Sequence, residues 1–269
     1  MNTARRIAKN TLVMIIGDIA GKILTLIYII YAARYFQAEG FGTLSFALAF
    51  TAMFGIFSDI GFYELIVIEV ARRKQLARKY IGYVTPLKVV VVTLVFGVMC
   101  LIVNLMGYST QTVKIVYIIG LSVVFDAFSA VSNATFQAFE KMEYISIGKI
   151  LKNSLLLVGV FFIIWRRLGL ISFAYVYLLS SIALLVYSIV ITAKLFVRPK
   201  LEIDSKFWKW LLKRGAPFWA SGVFVAIYHD IDKIMLSIMV GDTAVGWYSA
   251  AYKLIVCLLY TSPSPRDRG

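Results

Sequence analysis

Runs of twenty or so apolar residues, separated by short polar breaks, recur along the chain from Thr11 to Leu259. An α-helix rises about 1.5 Å per residue, so each run is long enough to cross roughly 30 Å of hydrocarbon. The pattern predicts helices over Thr11–Ala33, Phe41–Phe62, Tyr83–Leu105, Ile115–Phe139, Tyr144–Trp165, Leu170–Phe196, Ala216–Val240 and Ala244–Leu259. The runs are continuous and lack the roughly ten-residue apolar/polar alternation of membrane strands, which excludes a barrel. The expected fold is an all-α polytopic membrane protein of about eight transmembrane helices.

Composition agrees: 61% of residues are hydrophobic and 16% charged, far from the balance of a water-soluble domain. The formal charge of +14 sits mostly in alternate connections. Arg5, Arg6 and Lys9 precede the first run; Arg72, Arg73, Lys74, Arg78 and Lys79 follow the second; Lys141 follows the fourth; and Lys194 to Arg214 supply seven more after the sixth. Lys and Arg favour the cytoplasmic side, so these connections and the N-terminus are expected there, in the cell membrane. With no soluble domain to present the charge, a nucleic-acid partner is excluded and membrane lipids are expected instead. The first run carries Asp18 and Lys22 and exceeds a signal core in length, so it reads as a retained helix. Cys100 and Cys257 suggest no disulfide, and no His/Cys spacing suggests a metal or cofactor.

Two connections stand out. Glu64–Ile81 mixes apolar residues with the basic cluster and fits either an interfacial helix or a solvated basic loop. Val197–Gly215 carries Pro199, Trp208, Trp210 and many cations, as an interfacial linker between two bundles would. The boundary is placed there: residues 1–197 form one six-helix lobe, 198–215 a cytoplasmic linker and 216–256 the start of a second lobe. An internal echo supports it. Ala38-Glu39-Gly40-Phe41-Gly42-Thr43-Leu44-Ser45 opens the second run, and Asp242-Thr243-Ala244-Val245-Gly246-Trp247-Tyr248-Ser249 opens the eighth. Parallel repeats of this kind build transporters whose site lies between halves.

Charges within apolar helices are the candidate chemistry, because each costs roughly 2.5 to 3.5 kcal/mol at the bilayer centre. His229, Asp230, Asp232 and Lys233 cluster in the seventh run; Asp18 and Lys22 lie one turn apart in the first; Asp126 stands in the fourth without a partner in its own helix. Such groups either line a wet path or neutralise one another as ion pairs within a helix, Asp18 with Lys22 and Asp230 with Lys233. Asp59, Lys88, Lys149 and Lys152 sit nearer the ends and are expected to snorkel. His229, the only histidine, titrates near neutrality and suits proton coupling or a structural hydrogen bond. No nucleophile–base constellation or sizeable loop supports an enzyme.

The chain resembles the polysaccharide, or lipid-linked oligosaccharide, flippases of the multidrug/oligosaccharidyl-lipid/polysaccharide exporter superfamily. The resemblance rests on Ala33-Arg34 with Glu39-Gly40-Phe41-Gly42, on Asp59-Ile60-Gly61-Phe62 with Glu69-Val70-Ala71-Arg72, and on Phe136 to Tyr144. It also rests on Ala216-Pro217-Phe218, Asp230 to Leu236 and Gly246 to Tyr252. Phe36-Gln37 and Ile68 depart from the family's usual residues. The resemblance implies two lobes of about twelve to fourteen helices in all, so an N-terminal fragment is expected, and residues 257–269 resemble a translated sequencing adapter. It implies export of an undecaprenyl-pyrophosphate-type oligosaccharide for O-antigen or other surface polysaccharide, with polysaccharide assembly machinery as a partner. A pyrophosphate needs cations, and Lys22, Lys233 and Lys253 are the candidates, with Asp18, Asp126, Asp230 and Asp232 lining the same path. The alternatives are a cation-coupled multidrug exporter of the same superfamily and a membrane-embedded glycan-modifying enzyme.

The charge asymmetry makes a direct prediction. Single cysteines at Glu39, Ser109 and Asp242 will react with an impermeant thiol reagent added outside cells, and cysteines at Lys74 and Ser205 will not; outside labelling at Lys74 overturns the orientation.

Overall fold

The computed structural model describes residues 3–198 and 200–259, with the side chains of 3–8, 226, 229, 230 and 253–259 excepted. Among the described residues the chain is helical throughout, with no strand. Five helices are long and apolar enough to cross a membrane, and the first of these, Lys9–Ser58, has 50 residues, enough for two crossings. It belongs to α1 (Thr3–Gly55), which is broken at Gln37 (φ 58°, ψ −177°). A straight helix of that length would reach ~75 Å, more than twice the hydrocarbon thickness, so the break is what folds one sequence run into two crossings. The left-handed backbone at a non-glycine residue is unfavourable; the Gln37 amide offsets this by donating to the Arg34 carbonyl at 2.7 Å, satisfying one of the first arm's terminal acceptors.

After a short 3-10 turn comes α2 (Phe62–Arg72), which resolves the two readings of Glu64–Ile81. It is an amphipathic helix whose Phe62, Leu65, Ile66 and Val70 recur at helical spacing and are buried. They pack on Val131, Ala134 and Ala138 of α4 (Thr110–Ala138) and on Val84 and Leu87 of α3 (Ala77–Leu105). The third span therefore starts at Ala77, six residues earlier than the apolar pattern alone suggests. Pro86 interrupts α3; lacking an N–H, it frees the Gly82 carbonyl, which accepts instead from Glu202 N in the connection before α7 (3.2 Å).

Then follow α5 (Met142–Arg166), α6 (Leu170–Ile191, extended by a wide turn over Thr192–Phe196), α7 (Ser205–Met239) and α8 (Asp242–Leu259). Asp204 caps α7, accepting from Lys206 N and Phe207 N, so that helix begins well before the apolar run at Ala216. Counting the arms of α1 separately, the eight expected spans are all helical. The proposed tail is described only to Leu259; the rest of it lies outside the described residues.

In lipid, apolar side chains gain little by leaving one apolar phase for another, and helices associate where small residues let them come close. A Cβ on Gly17 would lie 2.5 Å from Ser146 of α5, one on Gly120 2.3 Å from Met99, and one on Gly159 2.1 Å from Val176. Ser146 and Asn153 donate to the Val13 and Gly21 carbonyls, joining α5 to the first arm of α1.

A charge pair pins the end of the bundle where α2 meets the starts of α3 and α7. Asp59 caps α2 through Oδ1, accepting from Phe62 N (2.7 Å) and Tyr63 N (3.1 Å), and its Oδ2 takes the Lys88 ammonium at 2.8 Å. Lys88 is fully buried rather than snorkelling, contrary to its position near the span's end. Asp59→Asn keeps the cap but strands a buried ammonium, so it should destabilise the protein by about 3 to 5 kcal/mol. Asp59→Asn combined with Lys88→Met should recover most of that, both read as thermal unfolding in detergent; equal loss in the two variants would show the pair to be unimportant.

Candidate functional site

Three helices, α1, α4 and α5, bring charges together. Asp18, on the first arm of α1, forms a salt bridge with Lys149 of α5 at 2.7 Å. Asp126, in the middle of α4, meets Lys152 of α5 at 2.6 Å, and that ammonium also lies 4.9 Å from the centre of the Tyr177 ring of α6. These bridges run across helices, whereas the sequence suggested a pair within one turn for Asp18 and no partner within the helix for Asp126. Lys149 and Lys152 stand seven and ten residues into α5, about 10 and 15 Å deep by helical rise, which places them away from the interface.

Exposure separates the pairs. The Asp18 and Lys149 side chains are 45% and 47% exposed, whereas Lys152 is only 16% exposed. Asp126 Oδ1 is buried without a hydrogen-bond partner among the described residues. A carboxylate with one oxygen paired and the other buried without a partner costs free energy that its neighbours must offset. Lys22 projects to an exposed position one turn beyond Asp18.

A second group sits on α7 and α8. Asp232 accepts from Lys233 N (2.8 Å) and from the Tyr248 hydroxyl, and the Lys233 ammonium lies 5.2 Å from the centre of the Tyr252 ring, which stacks on Tyr248. The half-buried Asp232 and Lys233 therefore engage α8 aromatics that sequence inspection had not linked to them. The side chains of His229, Asp230 and Lys253 lie outside the described residues. No group of three or more His, Cys, Asp or Glu capable of holding a metal occurs among the residues described.

The two groups are joined by backbone contact at both ends of the bundle. A Cβ on Gly42 would lie 1.6 Å from the Asp242 carbonyl oxygen, and one on Gly246 would lie 2.1 Å from that of Ala38. The echoed segments thus cross each other reciprocally: each glycine sits over the residue four positions before the other glycine. This is the self-matching contact that a twofold relation produces. Matched positions share their fate, Phe41 with Val245 and Ser45 with Ser249 being buried. Side chains latch the crossing. Asp242 accepts from Thr43 (2.7 Å) and Ser237 (3.1 Å), and Tyr108 bonds Ser237 at 3.0 Å. A polar cleft of about 320 Å³, lined by Glu39, Thr43, Tyr108, Gln111, Thr112 and Asp242, opens beside it. At the other end, where α2 starts, a Cβ on Gly61 would lie 2.3 Å from the Gly215 carbonyl oxygen, and one on Gly215 2.0 Å from that of Ile60.

Comparison with known proteins fits this arrangement. The family described as "Polysaccharide biosynthesis protein" matches residues 7–261. Among solved structures, an inward-facing multidrug resistance MATE family transporter of the MOP superfamily is similar at a TM-score of 0.54 and 15% identity, over 91% of this chain and 58% of that one. A MATE in the bent conformation is similar at a TM-score of 0.56 and 16% identity, over 96% of this chain and 68% of that one. The chain thus spans somewhat over half the length of the first of these transporters. No curated protein sequence matches it. An all-helical bundle with charges bridging its helices, and a family match over nearly all of its length, make this chain a member of the polysaccharide biosynthesis protein family, built on the fold of the MATE transporters.

Proposed function

We propose that the chain belongs to a flippase that moves a lipid-linked oligosaccharide across the cytoplasmic membrane by alternating access. Residues 1–197 form the first lobe; 198–215 form the linker, whose residues from Ser205 on are already helical as the start of α7; and the rest of α7 with α8 begins the second lobe. The observation that carries this reading is the half-exposed Asp18–Lys149 pair, set at membrane depth and beside Lys22 on a glycine-bearing helix. A charge held there is expensive unless water or a polar substrate reaches it. A polyprenyl pyrophosphate carries the negative charge that these ammoniums would meet, and the sugars fit hydroxyl- and amide-lined clefts such as the one beside Asp242. Lys22, Lys149 and Lys233 act as donors to the pyrophosphate. Asp18, Asp126 and Asp232 keep the path near neutral when it is empty, so that the cations are balanced before substrate arrives.

Alternating access requires the bundle to part at one end while closed at the other. The glycine crossings give this chain one close seal at each end: Gly42 with Gly246 at the outer, and Gly61 with Gly215 at the inner. Opening the outer seal breaks few bonds, chiefly those of Thr43 with Asp242 and of Tyr108 with Ser237. The multidrug reading would favour carboxylates left bare for a cationic drug. Here Asp18 and Asp126 each face a lysine, which favours the anionic substrate.

The test is transport of a fluorescent lipid-linked oligosaccharide in vesicles, with the protein assembled with the rest of its second lobe. Lys149→Gln should lower the rate on the order of ten- to a hundredfold, the worth of a charge-assisted hydrogen bond, while Lys149→Arg retains most of it. Full transport by Asp18→Asn with Lys149→Gln would reduce the pair to a structural tie and remove the reading's main support. In the same assay, Thr43→Cys with Asp242→Cys, joined by a short thiol crosslinker, should stop transport, and a reagent that cleaves the linker should restore it. Unchanged transport after crosslinking would mean that the outer crossing does not open.

A further inference from the structure

The inner half of α7 has two unlike faces. One packs inward: Leu211 is fully buried, Gly215 touches the Ile60–Gly61 backbone, and Trp208 Nε1 donates to the Tyr83 carbonyl at 3.1 Å. On the other, Trp210, Lys213, Arg214, Pro217 and Phe218 follow one another at intervals of three, four, seven and eight residues, which sets them in a single stripe. All five are exposed, and together they line an open cleft of about 490 Å³ with no acidic side chain among its described lining residues.

The order along the stripe matters. Lys213 and Arg214 immediately precede the apolar run that starts at Ala216, so they sit at headgroup depth, and Pro217 and Phe218 sit just inside it. Trp210 is held in place from behind, stacked on Phe207 (5.4 Å, 17°) and edge-on to Tyr80 (6.4 Å). The Arg214 guanidinium lies 5.6 Å from the centre of the Trp210 ring, which fixes it without using its forked donors. Two cations beside an apolar floor match a molecule with an anionic phosphate at one end and hydrocarbon at the other.

We propose that this stripe is a binding site for the phosphate headgroup of a lipid, with Lys213 and Arg214 holding the phosphate and Pro217 and Phe218 the first carbons of its tail. Cationic residues spread over a cytoplasmic face attract anionic lipid diffusely; a lined cleft with a pre-set guanidinium makes the attraction local. The site shares no residue with the Asp18 and Asp126 pairs, so it stands or falls independently of the transport reading.

The experiment titrates the full chain in neutral detergent with phosphatidylglycerol or phosphatidylcholine and counts bound lipid by native mass spectrometry. Phosphatidylglycerol should bind saturably and phosphatidylcholine poorly. Lys213→Gln with Arg214→Gln should weaken phosphatidylglycerol binding roughly 30-fold, whereas Lys206→Gln with Lys209→Gln, which removes the same charge from the same helix, should change it little. Arg214→Gln alone should weaken it several-fold and serves should the double variant fail to fold, and Lys213→Arg should retain binding. A polyprenyl pyrophosphate run through the same series separates the sources. Tighter binding than phosphatidylglycerol marks a docking point for a prenyl pyrophosphate, and weaker binding marks a membrane phospholipid, the loss in the double variant being expected for both. Equal loss in the two double variants, or equal binding of the neutral-headgroup lipid, would overturn the proposal.

Discussion

A helix surrounded by hydrocarbon gains almost nothing by covering its leucines, so this bundle depends on what only another helix can provide: close backbone approach and a partner for each charge. Glycines or serines stand where the first arm of α1 meets α5, where its second arm meets α8, and where the start of α2 meets α7. Salt bridges do the same for charge, with Asp18, Asp59 and Asp126 each bound to a lysine from another helix. An isolated carboxylate or ammonium at these depths would cost several kcal/mol; paired, the same groups fix which helices are neighbours.

The all-helical, multi-span class was legible in the apolar runs, because length against bilayer thickness leaves little choice. The echo between residues 38–45 and 242–249 was legible too, although nothing in a linear sequence said that the two segments would touch. The misread parts share one cause. Lys88 and Lys152 look like snorkelling residues when each is seen on its own helix, but Asp59 and Asp126 come from elsewhere in the chain and make burial tolerable. Likewise Asp18 has an apparent partner one turn away in Lys22, while the bridge to Lys149 depends on the approach allowed by Gly17 and Ser146. Spacing reports which residues share a face; it does not report what that face meets.

The crossing of Gly42 and Gly246 shows how a repeated segment can serve as its own complement. A surface that must match itself needs only one solution, a glycine four residues after a residue with an accessible carbonyl, and both copies then fit. The cost is that neither glycine tolerates a side chain, since a Cβ on either would overlap backbone. The polar latch around Asp242 is weaker than the helices it joins, so the contact is tight in shape but light in bonding.

The bond from Glu202 N to the Gly82 carbonyl, made available by Pro86, bears on mechanics. With Gly82 also pressed against the Lys200 carbonyl, the connection between α6 and α7 is tethered to α3 within three residues of where α7 starts. Only residues 203 and 204 separate this anchor from a 35-residue helix. Gly215, wedged against the Ile60–Gly61 backbone, and Trp208, bonded to the Tyr83 carbonyl, hold the first turns of α7 as well. The start of this long helix is thus clamped at several points, and a displacement of α3 is passed on to α7 rather than absorbed in the connection, through an acceptor that Pro86 left open.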